Sequence, residues 1–162
     1  MKITSIRCPE LPLGRRISMV LKQYHAQIRK LIAHPIAGKN FPLMLHLDNK
    51  AGQVTQQDLV EYLGIDKTSM VRIIDELTNA GLILRAPHPV DRRFHHIHLT
   101  EQGQQLIPEI RAAVAQLNRL MMNGLSEQES TQFILSLQHI QDNLNQLDQA
   151  ANNDCIQTQP AI

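Results

Sequence analysis

The chain has almost no aromatic residues. Of its 162 residues none is tryptophan, two are tyrosine and three are phenylalanine. A core must therefore be assembled from Leu, Ile, Val, Ala and Met. No apolar run is long enough to span a bilayer. The first residues, Met1 to Gly14, hold neither a long apolar region nor a small-residue cleavage pattern. That argues against a signal peptide and predicts a cytoplasmic protein with no membrane partner. There is no glycine-rich phosphate loop and no histidine–acid–nucleophile set, so an enzyme is not expected, nor a cofactor. Neither sign of charge dominates, because the formal net charge is +1. At this length one domain is expected, with or without an extended dimerisation part.

The distribution of charge says more than its sum. Residues 1–50 hold nine basic and two acidic residues, residues 51–100 five and six, and residues 101–162 two and seven. A basic N-terminal third is balanced by an acidic C-terminal third. Any contact with phosphate would have to rest on a few placed cations rather than on a general basic field.

The most informative stretch runs from residue 55 to residue 103. Thr55 suits an N-cap before a helix starting at Gln56. Asp58 stands where a capping box usually has Glu, so the box is expected to be imperfect. Leu59 and Leu63 share a helical face, and Gly64 permits the left-handed backbone that ends a helix. Ile65 plugs the turn, and Asp66 caps a second helix over about 67–80. Val71, Ile74 and Leu77 are expected as its buried stripe, with Met70 and Ile73 beside them. Lys67, Thr68, Ser69 and Arg72 fall on the other side, near the N-terminus. Gly81 stops the helix.

A hairpin pattern follows. Leu82, Ile83 and Leu84 form a short strand, which Pro87 and Pro89 are expected to break. Asp91, Arg92 and Arg93 then lie at or near a loop tip, and Ile97 and Leu99 alternate on a returning strand. Thr100 caps the next helix. The order is a helix-turn-helix followed by a β-wing over about 86–96. The fold class expected is mainly α with a small β-wing: a winged helix-turn-helix flanked by N- and C-terminal dimerisation helices.

The run DLVEYLGIDKTSMVRIIDELTNAGLILR from Asp58 to Arg85, the Asp91-Arg92-Arg93 set and the exit LTEQG from Leu99 to Gly103 resemble the MarR family of transcriptional regulators. As a set these features are specific, because together they fix helix spacing, the glycine stops, the wing pair and the exit. They cover roughly a third of the chain. The resemblance implies a repressor that reads double-stranded DNA. Thr68, Ser69 and Arg72 would face the major groove, and Arg92 or Arg93, held by Asp91, the minor groove. Lys67, Thr55 and Gln56 would contact phosphates.

Outside the motif, Ile17, Val20, Leu21, Tyr24, Ile28 and Leu31 recur at helical spacing from Leu13 to about Ala33, where Pro35 and Gly38 are expected to end the run. A short helix from about Pro42 to Asn49 carries Leu43, Leu45 and Leu47. After Thr100 a stripe of Leu106, Ile110, Val114, Leu117, Leu120 and Met121 runs to a break at Gly124. Ser126 with Glu129 forms a capping box for a last helix, where Phe133, Leu137, Ile140, Leu144 and Leu147 keep a near-heptad spacing. One winged unit cannot cover all these stripes, which predicts a two-fold homodimer on a pseudo-palindromic operator. The organisation read from this pattern is an N-terminal dimerisation helix within 1–40, a winged lobe over 41–103, C-terminal dimerisation helices over 104–150 and a flexible tail over 151–162.

Control of such a protein follows from the resemblance. Its commoner form is release from DNA by a small aromatic or anionic effector, for which Tyr24, Ile28, Phe41, Met44 and His46 are the candidate lining. The alternative is thiol-based peroxide sensing by Cys8, whose neighbour Arg7 favours the thiolate. Against it, cytosolic cysteines are mostly reduced and inert. A helix-turn-helix used only for protein contacts is a further alternative. His88, His95, His96 and His98 cluster around the wing, but no Cys or Glu completes a site locally, so no metal is expected.

Overall fold

In a computed structural model, the structure describes residues 12–50, 54–87 and 95–157, with side chains as far as residue 147. Three helices come first: α1 (Leu13–Leu31), α2 (Pro35–Lys39) and α3 (Phe41–Asn49). A two-residue strand β1 (Val54–Thr55) leads into α4 (Gln56–Leu63) and α5 (Lys67–Asn79). The hairpin strands β2 (Ile83–Pro87) and β3 (His95–Leu99) follow, then α6 (Glu101–Met121) and α7 (Glu127–Gln157). The sheet is antiparallel in the order β1-β3-β2, with Val54 opposite Ile97 and Arg85 opposite the same residue from the other side. The chain divides into two compact units, Met1–Asn118 and Arg119–Ile162.

The first unit holds the core, which is aliphatic as the composition requires. Ile28, Met44, Leu59, Met70, Ile74, Leu77, Leu82 and Ile110 are fully buried in one cluster with Leu43, Leu47, Ile83 and Ile97. Each such side chain contributes about 1.5–3 kcal/mol by leaving water. Polar ties fix the helices around that cluster. Arg111 on α6 donates to Asp48 at 2.6 Å and to Asn49 at 2.8 Å, at the end of α3. The backbone N–H of Ala33 donates to Glu109 at 2.6 Å, joining the end of α1 to α6.

Several local expectations are corrected. Pro35 and Gly38 do not simply end the first helix. They lie in α2, because proline is tolerated at a first helical position and the His34 ring nitrogen accepts the Ala37 N–H at 3.2 Å as its cap. Pro87 does not break β2 but ends it opposite His95; β2 is an edge strand, where a missing N–H costs no ladder bond. The buried stripe of α5 is Met70, Ile74 and Leu77, while Val71 faces outward at 38% exposure. Met70, Ile74 and Leu77 are spaced four and three apart, which holds one face better than a stripe begun at Val71. In α6 the buried positions are Gly103, Ile107, Ile110, Ala113 and Leu117, whereas Leu120 and Met121 are exposed. Helix α7 continues to Gln157, past the point where the sequence pattern fades.

The second unit is built differently. No residue of α7 whose side chain is described is buried, and Phe133, Ile134, Leu135, Leu137, Leu144 and Leu147 are all exposed. Within the first unit, the N-terminal half of α1 likewise exposes Leu13, Ile17, Val20 and Leu21, and the helix is first buried at Ile28.

Candidate nucleic-acid interface

Two well-formed caps place α4 and α5. Thr55 accepts the Asp58 N–H at 3.3 Å, and Asp58 accepts the Thr55 N–H at 2.7 Å, so the capping box is complete with Asp in place of Glu. The shorter acid reaches because the Thr55 hydroxyl also donates to it at 2.8 Å. These bonds, backbone first, hold the Asp58 carboxyl below the usual carboxylate range. Gly64 then takes φ 61 and turns the chain. Asp66 accepts the Ser69 N–H at 2.9 Å and the Ser69 hydroxyl at 2.6 Å, which starts α5 and lowers the Asp66 pKa.

With Met70, Ile74 and Leu77 buried, the opposite side of α5 is fixed. Lys67, Thr68, Val71 and Arg72 are exposed there, and Thr68, Val71 and Arg72 recur at helical spacing on one face near the N-terminus. This is a cation, a hydroxyl, a guanidinium and a methyl-bearing side chain presented together, the chemical set that reads base edges and a thymine methyl. Val71 was missed in the sequence because a lone valine in an amphipathic helix reads as core. Its neighbour Met70 occupies that place instead.

The exit from α5 is tightly built. Gly81 adopts φ 70, and the Leu82 N–H donates to Leu77 at 3.0 Å. Thr100 donates from its hydroxyl to the Gly81 carbonyl at 2.6 Å and accepts the Gly103 N–H at 3.0 Å. The same threonine therefore closes the hairpin and caps α6. Gly103 lies directly against the Leu82 carbonyl oxygen, where a Cβ would collide with backbone. The glycine of the LTEQG run is a close-approach position.

The other expected site residues are dispersed or engaged. The Thr55 hydroxyl and the Ser69 hydroxyl are held in the two caps, and Gln56 is half-buried at the start of α4. Ile28 and Met44 are fully buried in the core. Tyr24 and Phe41 meet with ring centroids 6.2 Å apart, and the Tyr24 hydroxyl donates to Asn118 at 3.1 Å. Partial burial raises the Tyr24 pKa. His46 stands apart from these four. Its ring stacks on Tyr62 at 3.7 Å and lines an open cavity of about 330 Å³ with Lys50, Val54, Asp58 and Glu61. Burial, then the Lys50 charge, lowers the His46 pKa, against an opposing pull from Asp58. Asp91, Arg92, Arg93, His88 and Cys8 lie outside the described residues. The rings of His96 and His98 are 6.1 Å apart, and among the described residues no three His, Cys, Asp or Glu side chains are grouped to hold a metal ion. No helix among the described residues is long and apolar enough to cross a membrane.

Comparison with known proteins agrees with this geometry. A family model described as the MarR family matches residues 35–93, from the start of α2 to six residues past the end of β2. A MarR transcriptional regulator from Methanosarcina mazei Go1 is similar at 25% identity and a TM-score of 0.75, over 83% of this chain and 97% of that one. A cysteine-to-serine mutant of MarR from E. coli, solved with operator DNA, is similar at 24% identity and a TM-score of 0.71, over 80% and 94% of the two chains. A MarR-family protein from Listeria monocytogenes, solved with a 26mer DNA, is similar at 23% identity and a TM-score of 0.74, over 83% and 90%. With the capped helix pair, the three-stranded wing sheet and the glycine-packed exit in place, the chain has the winged-helix fold of these proteins, and its residues 35–93 match the MarR family model.

Proposed function

We propose that the protein is a sequence-specific, double-stranded-DNA-binding transcriptional regulator, cytoplasmic and acting as a homodimer on a pseudo-palindromic operator. The observation that carries this reading is the exposed face of α5. Lys67, Thr68, Val71 and Arg72 are presented together at the helix N-terminus, backed by the fully buried Met70, Ile74 and Leu77. Arg72 suits a guanine edge and Val71 a thymine methyl. Lys67, together with Gln56 at the start of α4, suits phosphates, whereas both donors of Thr55 are spent on Asp58. The wing arginines Arg92 and Arg93 are assigned to the minor groove on the same reading, with Asp91 holding one of them. Two relatives of the same fold were crystallised with DNA, which supports the assignment.

The homodimer is argued from apolar surface. The described part of α7 holds no buried residue and exposes Phe133, Ile134, Leu135, Leu137, Leu144 and Leu147, and the first half of α1 exposes Leu13, Ile17, Val20 and Leu21. Helices that expose this many large apolar side chains need a partner surface. A two-fold dimer would present two α5 helices to half-sites about one helical turn apart. On this reading the protein is a repressor, released by a small aromatic or anionic effector that prefers one spacing of the two helices. Tyr24 and Phe41, which already share a ring contact, are the strongest candidates for its lining.

Selection of bound sequences from a random duplex pool tests the central claim. A recovered pseudo-palindrome, bound with a steep inverse dependence on salt, is expected. A pool that yields no preferred sequence, or binding indifferent to salt, would leave a protein-interaction module as the better description.

A further inference from the structure

Two adjacent carboxylates on α5 are each tied to a different neighbour. Asp75 accepts from Arg85 on β2 at 2.6 Å. Glu76 accepts from Lys39, at the end of α2, at 2.9 Å and 2.8 Å through its two oxygens. Glu76 Oε2 also accepts from the side-chain amide of Asn40 at 3.4 Å. Asn40 is the one buried polar residue among those described, and its amide donates as well to the Ile36 carbonyl at 3.1 Å. It stands at the junction where α2 ends and α3 begins. The Lys39 contact and the Asn40 bond hold the Glu76 carboxyl below its usual range, with Lys39 the larger cause.

We propose that Glu76 is a positioning residue for DNA reading, which rests on the function proposed above: with Asp75 it clamps α5 between α2 and β2 and so sets the orientation of Thr68, Val71 and Arg72. The apolar stripe of α5 cannot do this alone. Burial of Met70, Ile74 and Leu77 is favourable in many orientations, because apolar contact is non-directional, whereas hydrogen bonds are not. Successive residues on a helix point about 100° apart, so adjacent acids can grip two different elements. Leverage makes the grip matter. Thr68 lies eight residues from Glu76, about 12 Å along the helix, so a tilt of about 5° moves it by about 1 Å. Displacement of that size is enough to spoil a recognition geometry. The Lys39–Glu76 pair is partly exposed, at 51% and 32% for the two side chains, so little of its value is expected as folding stability.

The test compares the full-length wild type with Glu76→Gln and with the exchanged pair K39E/E76K. The probes are the duplex recovered by selection and a random duplex of equal length. Glu76→Gln is expected to weaken binding to the selected duplex by about tenfold. Its affinity for random duplex should not fall, and its salt slope should be unchanged, since the substitution removes no cation. The exchanged pair should recover most of the discrimination. Parallel loss on both duplexes with a lowered Tm would mark Glu76 as merely structural, and an unchanged discrimination ratio would also overturn the proposal. Should the wild type prefer no sequence, the regulator reading fails. Amide exchange without DNA then decides the clamp: faster exchange confined to α5 and α2 in Glu76→Gln supports it, and an unchanged pattern overturns it.

Discussion

Arg85 on β2 reaches back ten residues to Asp75 on α5, with guanidinium and carboxylate 2.6 Å apart. The first strand of the wing is thereby tied to the helix that precedes it, across the turn at Gly81. Both side chains are substantially exposed, so the pair's effect on geometry exceeds its effect on stability. A double-mutant cycle with Asp75→Ala and Arg85→Ala is expected to give a coupling of about 0.2–1 kcal/mol at low salt, shrinking at high salt. Denaturant unfolding of the four proteins measures it; a zero coupling at low salt would mean that the contact carries nothing in solution.

Arg72→Ala is expected to weaken operator binding by about 1–3 kcal/mol and to relax preference at one base pair of each half-site. Lys67→Ala should act evenly across sequences and reduce the salt slope by about one. Titrations at several salt concentrations against operator variants distinguish the two. Equal loss at every sequence for Arg72→Ala would move that residue to the phosphate backbone.

Gly103→Ala adds one methyl group where the Leu82 carbonyl oxygen already stands. Backbone must shift, at a cost of about 1–3 kcal/mol. Thermal unfolding should show the loss. An unaltered Tm would show that α6 can slide away from the hairpin without penalty.

Stability should fall on acidification in two steps of the same sign. Burial holds the His46 pKa below its ordinary value of about 6.5, so the unfolded chain takes up that proton first as pH falls. Its contribution is whole above that value and is lost as pH drops through the lower folded pKa. Asp58, Asp66, Glu76 and Glu129 have lowered pKa values too, so their contributions are lost only below about pH 4. Replacing His46 by Phe keeps a ring on Tyr62 and should flatten the slope of Tm between pH 7 and pH 5. An identical slope in His46→Phe would assign the upper step to another histidine.

Charge placed on the bare face of α7 should disrupt assembly. Leu144 is 58% exposed in the single chain, so Leu144→Glu buries no new charge there. If α7 lies in a homodimer, sedimentation should report monomers for this variant and dimers for the wild type, with operator affinity falling together with the dimer. A dimer that survives the substitution would place the interface elsewhere.

Much of the fold was legible because its signals are local. Thr55, Asp66 and Ser126 cap helices where the sequence places caps, and Gly64 and Gly81 turn with the positive φ expected of them. Helical stripes are legible from spacing except where two stripes compete. Met70 and Val71 are both apolar and adjacent, and only the position of α5 against the core decides which is buried. Strand β1 has two residues, too few to show a period, and exists because β3 offers it a partner.

The candidate site divides along the same line. By itself the sequence determined which segments form helices, where they begin and stop, and that Lys67, Thr68 and Arg72 stand near the N-terminus of the second helix of the pair. These follow from backbone geometry and from bonds spanning three or four residues. Only the tertiary structure decided that Val71 joins them, that Glu76 is held by Lys39 and Asn40, that Asp75 is held by Arg85, and that Gly103 must be bare. Those facts depend on which groups meet through space after the core closes, and a carboxylate carries no mark in its sequence neighbourhood of the cation it will find 37 residues away.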